Sequence, residues 1–98
     1  MKTLNLLTII AEEALATSIE KEIQELGAKG YTSSNVSGKG LTGLRDNQWE
    51  GENIKIEIVV SEEICMQILV HLREKYFDRY ALIAFYYPVN VVRPNHFV

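Results

Sequence analysis

Hydrophobic positions along the chain follow two periods, two residues in some stretches and about 3.6 in others. Residues Thr3 to Ile10 (TLNLLTII) are apolar and β-branched and predict a strand. Leu15, Ile19, Ile23 and Leu26 then recur at four, four and three, the stripe of an amphipathic helix. Glu12 and Glu13 precede the stripe and suit a first helical turn, where carboxylates meet the positive end of the dipole. Gly27 follows Leu26, as a helix C-cap requires. Glu20, Lys21, Glu22 and Glu25 fill the polar side and read as a solvated face. Tyr31 to Ser37 (YTSSNVS) predicts a second, more polar strand. The strictest alternation runs from Ile54 to Val60: Ile54, Ile56, Ile58 and Val60 take turns with Lys55, Glu57 and Val59. Ser61 is a good N-cap, and Glu62 and Glu63 occupy the turn after it. Ile64, Ile68, Leu72 and Tyr76, with Leu69 beside them, form a second helical stripe that Asp78 ends. Ala81 to Val92 (ALIAFYYPVNVV) predicts the last strand, and Pro88 places its second half at an edge or a bulge.

The order β-α-β-β-α-β predicts an α+β, ferredoxin-like sandwich, a four-stranded antiparallel sheet with both helices on one face. The first strand is nevertheless apolar on both sides: Leu4, Leu6 and Ile10 on one, Leu7 and Ile9 on the other. Phe85, Tyr86 and Tyr87 likewise put aromatic rings on both sides of the last strand. A strand apolar on both faces needs a cover on both. The helices supply one, and a partner subunit is the simplest second.

Composition narrows the picture. The chain has 98 residues, which predicts one domain over 1–98. With 47% hydrophobic and 23% charged residues it is neither a disordered tail nor an acidic linker. A net charge of −3 disfavours nucleic acid as the main partner. Asn5, Thr8, Glu12 and Glu13 interrupt any signal-peptide core, and the single cysteine, Cys65, fits a reducing compartment, so a cytoplasmic location is expected. Cys65 next to Ile64 reads as a small buried residue rather than a nucleophile. A metal centre needs three or four converging ligands, and His71, His96 and Cys65 do not converge, so no metal is expected.

The six glycines (27, 30, 38, 40, 43 and 51) crowd into the middle of the chain. Four of them fall between the second and third predicted strands, from about Gly38 to Asn53, far longer than a hairpin loop of about 2–5 residues. A loop of that length is usually functional or mobile. In Ser37-Gly38-Lys39-Gly40, glycine lets backbone N–H groups approach an anion, Lys39 adds charge, and Arg45 adds a planar fork suited to phosphate. The alternative is a plain hairpin tip, and no P-loop is present. Trp49 is either a contact anchor for a partner or folded back on the body.

Gly27-Ala28-Lys29-Gly30-Tyr31-Thr32, Val36-Ser37-Gly38-Lys39-Gly40 and Ile54-Lys55-Ile56-Glu57-Ile58-Val59-Val60 together resemble the PII signalling superfamily over essentially the whole chain. The Gly-Tyr-Thr wording, the arginine five residues after Gly40 and Asp78-Arg79-Tyr80-Ala81 look closest to its PII-like branch, which includes regulators of bicarbonate transporters (the SbtB type) and carboxysome-associated members. The resemblance implies a homotrimer that binds adenine nucleotides between subunits and contacts a target protein, such as a membrane transporter, through a flexible T-loop at about 38–53. It also implies a nucleotide site at Thr32, Gly38, Lys39, Gly40, Arg45 and Val59, a signalling protein rather than an enzyme, and Trp49 as a partner contact.

The chain departs from the best-known PII proteins in ways that bear on the ligand. Their glycine- and lysine-rich phosphate loop is here Lys75-Tyr76-Phe77-Asp78-Arg79-Tyr80, without glycine. The arginine expected after the Gly-x-Gly turn is Leu41 or Thr42, and the tail offers only Arg93. These differences favour AMP, ADP or cyclic AMP over magnesium-ATP. The loop has no tyrosine to accept a uridylyl group, and the tail lacks the cysteine pair of some SbtB-type proteins. Three other families share the strand order. A CutA-type metal-tolerance trimer has an ordered, long-stranded hairpin in place of the Gly-Lys-Gly loop. An amino-acid-binding ACT-like module usually comes fused to an enzyme. An RNA-binding RRM needs stacking aromatics that Ile54–Val60 lacks.

Overall fold

The computed structural model describes residues 2–38 and 52–94. The chain runs through β1 (Lys2–Glu12), a 3-10 turn (Glu13–Leu15), α1 (Ala16–Glu25), β2 (Thr32–Val36), β3 (Asn53–Val60), α2 (Glu62–Lys75) and β4 (Ile83–Val91). The four strands form one sheet in the order β2-β3-β1-β4, and every neighbouring pair is antiparallel. This is the predicted ferredoxin-like βαββαβ sandwich.

Both helix ends follow their local chemistry. At the start of α2, the Ser61 side chain accepts from the Ile64 N–H at 3.3 Å, and Glu62 and Glu63 fill the first turn. At the end of α1, Gly27 takes a φ of 120°, open to glycine and strained for other residues. The Gly27 N–H then donates to Gln24 O and the Ala28 N–H to Ile23 O, the paired closure of a Schellman motif. A Cβ at Gly27 would also lie 3.0 Å from Ile64 Cδ1, so α1 and α2 meet closely there.

The two faces of the sheet follow from register, since directly paired residues share a face. On the helix side Leu7 pairs with Ile58, Ile9 with Ile56 and Ala11 with Ile54. These residues join Ile19 and Ile23 of α1, Cys65, Ile68 and Leu72 of α2, and Tyr76 just after it, in one buried core, with Ile64 partly buried against it. On the opposite face Leu6 pairs with Val59 and Tyr87, Thr8 with Glu57 and Phe85, and Ile10 with Lys55 and Ile83. No helix covers this second row, and Ile83, Phe85 and Tyr87 remain exposed. Pro88 lies on β4, an edge strand, where its missing N–H costs no ladder bond to a further strand.

Two sequence expectations need correction. Glu12 does not open a helix: β1 extends through it, paired with Asn53, and the Glu13 N–H reaches Glu52 O. Pairing with β3 outweighs the weak dipole preference of one carboxylate, and the helix begins only at Ala16. Glu22 does not lie on a solvated face, because its carboxylate is the centre of a cluster between the helices, described below. Among the described residues no helix is long and apolar enough to cross a membrane.

Candidate functional site

The strand register sorts the sequence-predicted site residues to two ends of the sheet. Thr32 opens β2 opposite Glu57, and Val59 stands two residues further along β3 on the same, helix-free face. Those two come together at one end. Gly38 follows β2 at the other end, where Val36 pairs with Asn53 and Asn53 with Glu12. Six residues of extended chain separate Thr32 from Gly38, about 20 Å. Within a single chain, Thr32 and Val59 therefore lie too far from Gly38 to share one small ligand with it. Lys39, Gly40, Arg45 and Trp49 lie outside the described residues.

The Gly38 end carries further polar chemistry. Asn53 is 3% exposed, and its Oδ1 has no hydrogen-bond partner among the described residues. A buried amide oxygen in that state is an acceptor awaiting an N–H or O–H donor. β4 begins at this end too, because Ile83 pairs with Ile10. The turn that joins α2 to β4 is thus brought to the same end as Gly38. In that turn Arg79 and Tyr80 both donate their backbone N–H to Tyr76 O at 3.0 Å. Phe77, Arg79 and Tyr80 are exposed there, and Arg79 has no ion pair among the described residues.

Sequence reasoning missed the polar cluster beneath this turn. Glu22 Oε1 accepts from the Tyr76 hydroxyl at 2.8 Å and lies 2.8 Å from His71 Nε2, while Lys75 Nζ donates to Oε2. The Glu22 side chain is only 14% exposed. Burial by itself would raise its pKa, but the hydrogen bonds from Lys75, His71 and Tyr76 outweigh it and hold the carboxyl below its ordinary value. Burial, reinforced by the bond to Glu22, pushes the Tyr76 phenol up to about 12. A signal was present in the sequence. Glu22 stands seven residues after Leu15, about 20° from two full turns, so it lies on the azimuth of the apolar stripe and not on the polar side. Lys75 stands seven after Ile68 in the same way.

Cys65 is fully buried, and burial followed by the Glu62 charge pushes its thiol up to about 11, which keeps it un-ionised at neutral pH. It packs as the small core residue the sequence predicts.

Known proteins resemble the chain throughout. It is 46% identical to a PII-like signalling protein of Thermus thermophilus, covering 98% of this chain and 96% of that one, with a TM-score of 0.84. It is 28% identical to CPII of Thiomonas intermedia in a structure bound to ADP, AMP and acetate, covering 99% and 98% of the two chains, with a TM-score of 0.85. A further CPII structure, also 28% identical, covering 99% and 96% of the two chains and with a TM-score of 0.84, is bound to ADP and bicarbonate. GlnK of B. subtilis, at 24% identity and a TM-score of 0.71, covering 98% and 91% of the two chains, shares the fold. The family model for nitrogen regulatory protein P-II matches residues 4–96, and with the fold and sheet order above it shows that this chain belongs to the P-II family, in agreement with its PII-like branch.

Proposed function

We propose that the chain is a nucleotide-sensing regulatory subunit, working as a homotrimer without catalysis of its own. An adenine nucleotide binds in clefts between subunits, with Thr32 and Val59 of one chain facing Gly38, Lys39, Gly40 and Arg45 of the next. The observation that carries this reading is the separation of Thr32 and Val59 from Gly38 at opposite ends of the sheet. A neighbouring copy packed on the helix-free face is the simplest way to bring both sets to one ligand. The exposed Ile83, Phe85 and Tyr87 give such a copy an apolar surface to bury. CPII, whose structures hold ADP and AMP, supports an adenine nucleotide as the effector. AMP, ADP and cyclic AMP fit better than magnesium-ATP, because residues 75–80 contain no glycine. The segment at about 38–53 acts as the T-loop, and Trp49 contacts a target protein, of which a membrane transporter is one expected kind. The protein works in the cytoplasm and reaches a membrane only through such a partner. The family match favours this reading over the CutA-type metal-tolerance trimer.

Calorimetry with AMP, ADP, ATP and cyclic AMP, combined with light scattering, tests the proposal. Binding of at least one of the first two or of cyclic AMP, by a particle of three chains, is expected. A monomer at micromolar concentration would remove the intersubunit cleft, and silence with every nucleotide would remove the effector. Trp49 is the only tryptophan, so its emission and acrylamide quenching during the same titrations report whether ligand at the loop base reaches the partner-contact position.

A further inference from the structure

Three features stand outside the proposed nucleotide contacts: the orphan Asn53 oxygen, the exposed rings on β4, and the Glu22 cluster. The cluster carries an inference furthest, because a chain of contacts leads from it to an exposed surface. Glu22 of α1 binds the Tyr76 hydroxyl at 2.8 Å. The Tyr76 ring is buried, and its backbone oxygen accepts both the Arg79 and the Tyr80 N–H. The Tyr80 ring lies against Tyr76, with centroids 5.8 Å apart. Tyr76 is therefore a post around which residues 77–80 are wound. The start of the turn is tied to α2 by the Phe77 N–H, which donates to Leu72 O at 3.2 Å, and the two bonds to Tyr76 O hold the rest of it.

The wound turn displays a particular chemistry. Phe77 is 42% exposed and Tyr80 36%, and the Arg79 guanidinium makes no ion pair among the described residues. An exposed guanidinium and two exposed aromatic rings within one short turn suit a ligand that combines an anionic oxygen group with a planar ring. The register brings this turn to the Gly38 end of the sheet.

We propose that Glu22 is a positioning residue: through the Tyr76 hydroxyl it fixes the 77–80 turn, so that Arg79 meets the phosphate of an adenine nucleotide preformed. This rests on the nucleotide reading above. It adds a residue on α1 that acts through Tyr76 and not by touching the ligand.

The test is a double-mutant cycle read by calorimetry with ADP and AMP. Tyr76→Phe keeps the buried ring and removes only the hydroxyl. It should weaken binding about five-fold, the worth of one hydrogen bond. Arg79→Ala should weaken it about ten-fold. If Tyr76 acts through Arg79, the double variant binds no more weakly than Arg79→Ala alone. Glu22→Leu is the second variant: it removes the acceptor of the Tyr76 hydroxyl and should weaken binding at least as much as Tyr76→Phe. Amide hydrogen exchange separates positioning from general loosening: in Tyr76→Phe the Arg79 and Tyr80 amides should exchange faster while those of Ile9 and Ile56 stay protected. Unchanged affinity in Tyr76→Phe, or losses that simply add in the double variant, would overturn the proposal while leaving the nucleotide reading intact. A wild-type protein that binds neither ADP nor AMP would overturn both.

Discussion

β1 presents two rows of apolar side chains to two different surroundings. Leu7 and Ile9 face the helices and are wholly buried; Leu6 and Ile10, on the other face, stand beside exposed Tyr87, Phe85 and Ile83. The chemistry of the rows is similar. What differs is whether the same chain folds something over them. One row gains its stability within the chain, and the other has apolar surface left to bury against another molecule. If the proposed trimer forms on the open face, the strand serves folding on one side and assembly on the other, and substitutions on the two sides should fail in different ways.

The largest effect belongs to the helix side. Ile9→Ala or Ile56→Ala removes a fully buried side chain and should cost about 2–5 kcal/mol in chemical denaturation, at any state of assembly. On the open side, Phe85→Glu should leave the circular dichroism of the folded chain in place and abolish assembly in light scattering. A charged row that still assembled would move the subunit contact off this face. Arg45→Ala should weaken nucleotide binding about ten-fold or more, the loss of a charge-assisted phosphate contact, with the particle size unchanged. Retained affinity would shift the phosphate contact to Lys39 or Arg79. Ser61→Ala removes the one side-chain cap of α2 and should cost about 1 kcal/mol.

The smallest effect, and the one that sharpens the comparison on the helix side, is acid sensitivity of the polar cluster. The folded-state pKa of Glu22 lies below its ordinary value of 4.5. Its contribution to stability is therefore complete above about 4.5 and is lost as pH falls through the lower, folded value. Wild type should exceed Glu22→Gln in melting temperature near neutral pH, and the gap should close in the acid range. A gap that persists unchanged below that range would assign it to packing rather than charge.

Much of the fold is legible in the chain because its causes are local. The alternation of Ile54, Ile56, Ile58 and Val60 matches a pleat that puts every second residue on the core. Ser61 and Gly27 mark helix ends because the backbone groups they satisfy lie within a few residues. The surplus apolar row on β1 is visible in the same way, as a pattern needing two covers. The candidate site is legible only in part. The resemblance proposes Thr32 and Val59 together with Gly38, but no motif says that the first two lie at the far end of the sheet from the third. That follows from the antiparallel register of β2 on β3.

Periodicity, capping and composition, read from the residues themselves, determined the element order, the helix-facing core and the need for a second cover. Backbone geometry and water act on every short window alike, and these features follow from them. The azimuth of Glu22 turns it toward the apolar stripe, but tertiary structure alone decided that its partner there is Tyr76, 54 residues away. It also decided which end of the sheet receives the 77–80 turn. Such meetings depend on how two helices are rotated and seated on one sheet. The packing of the whole core sets that rotation, and no stretch of neighbouring residues encodes it.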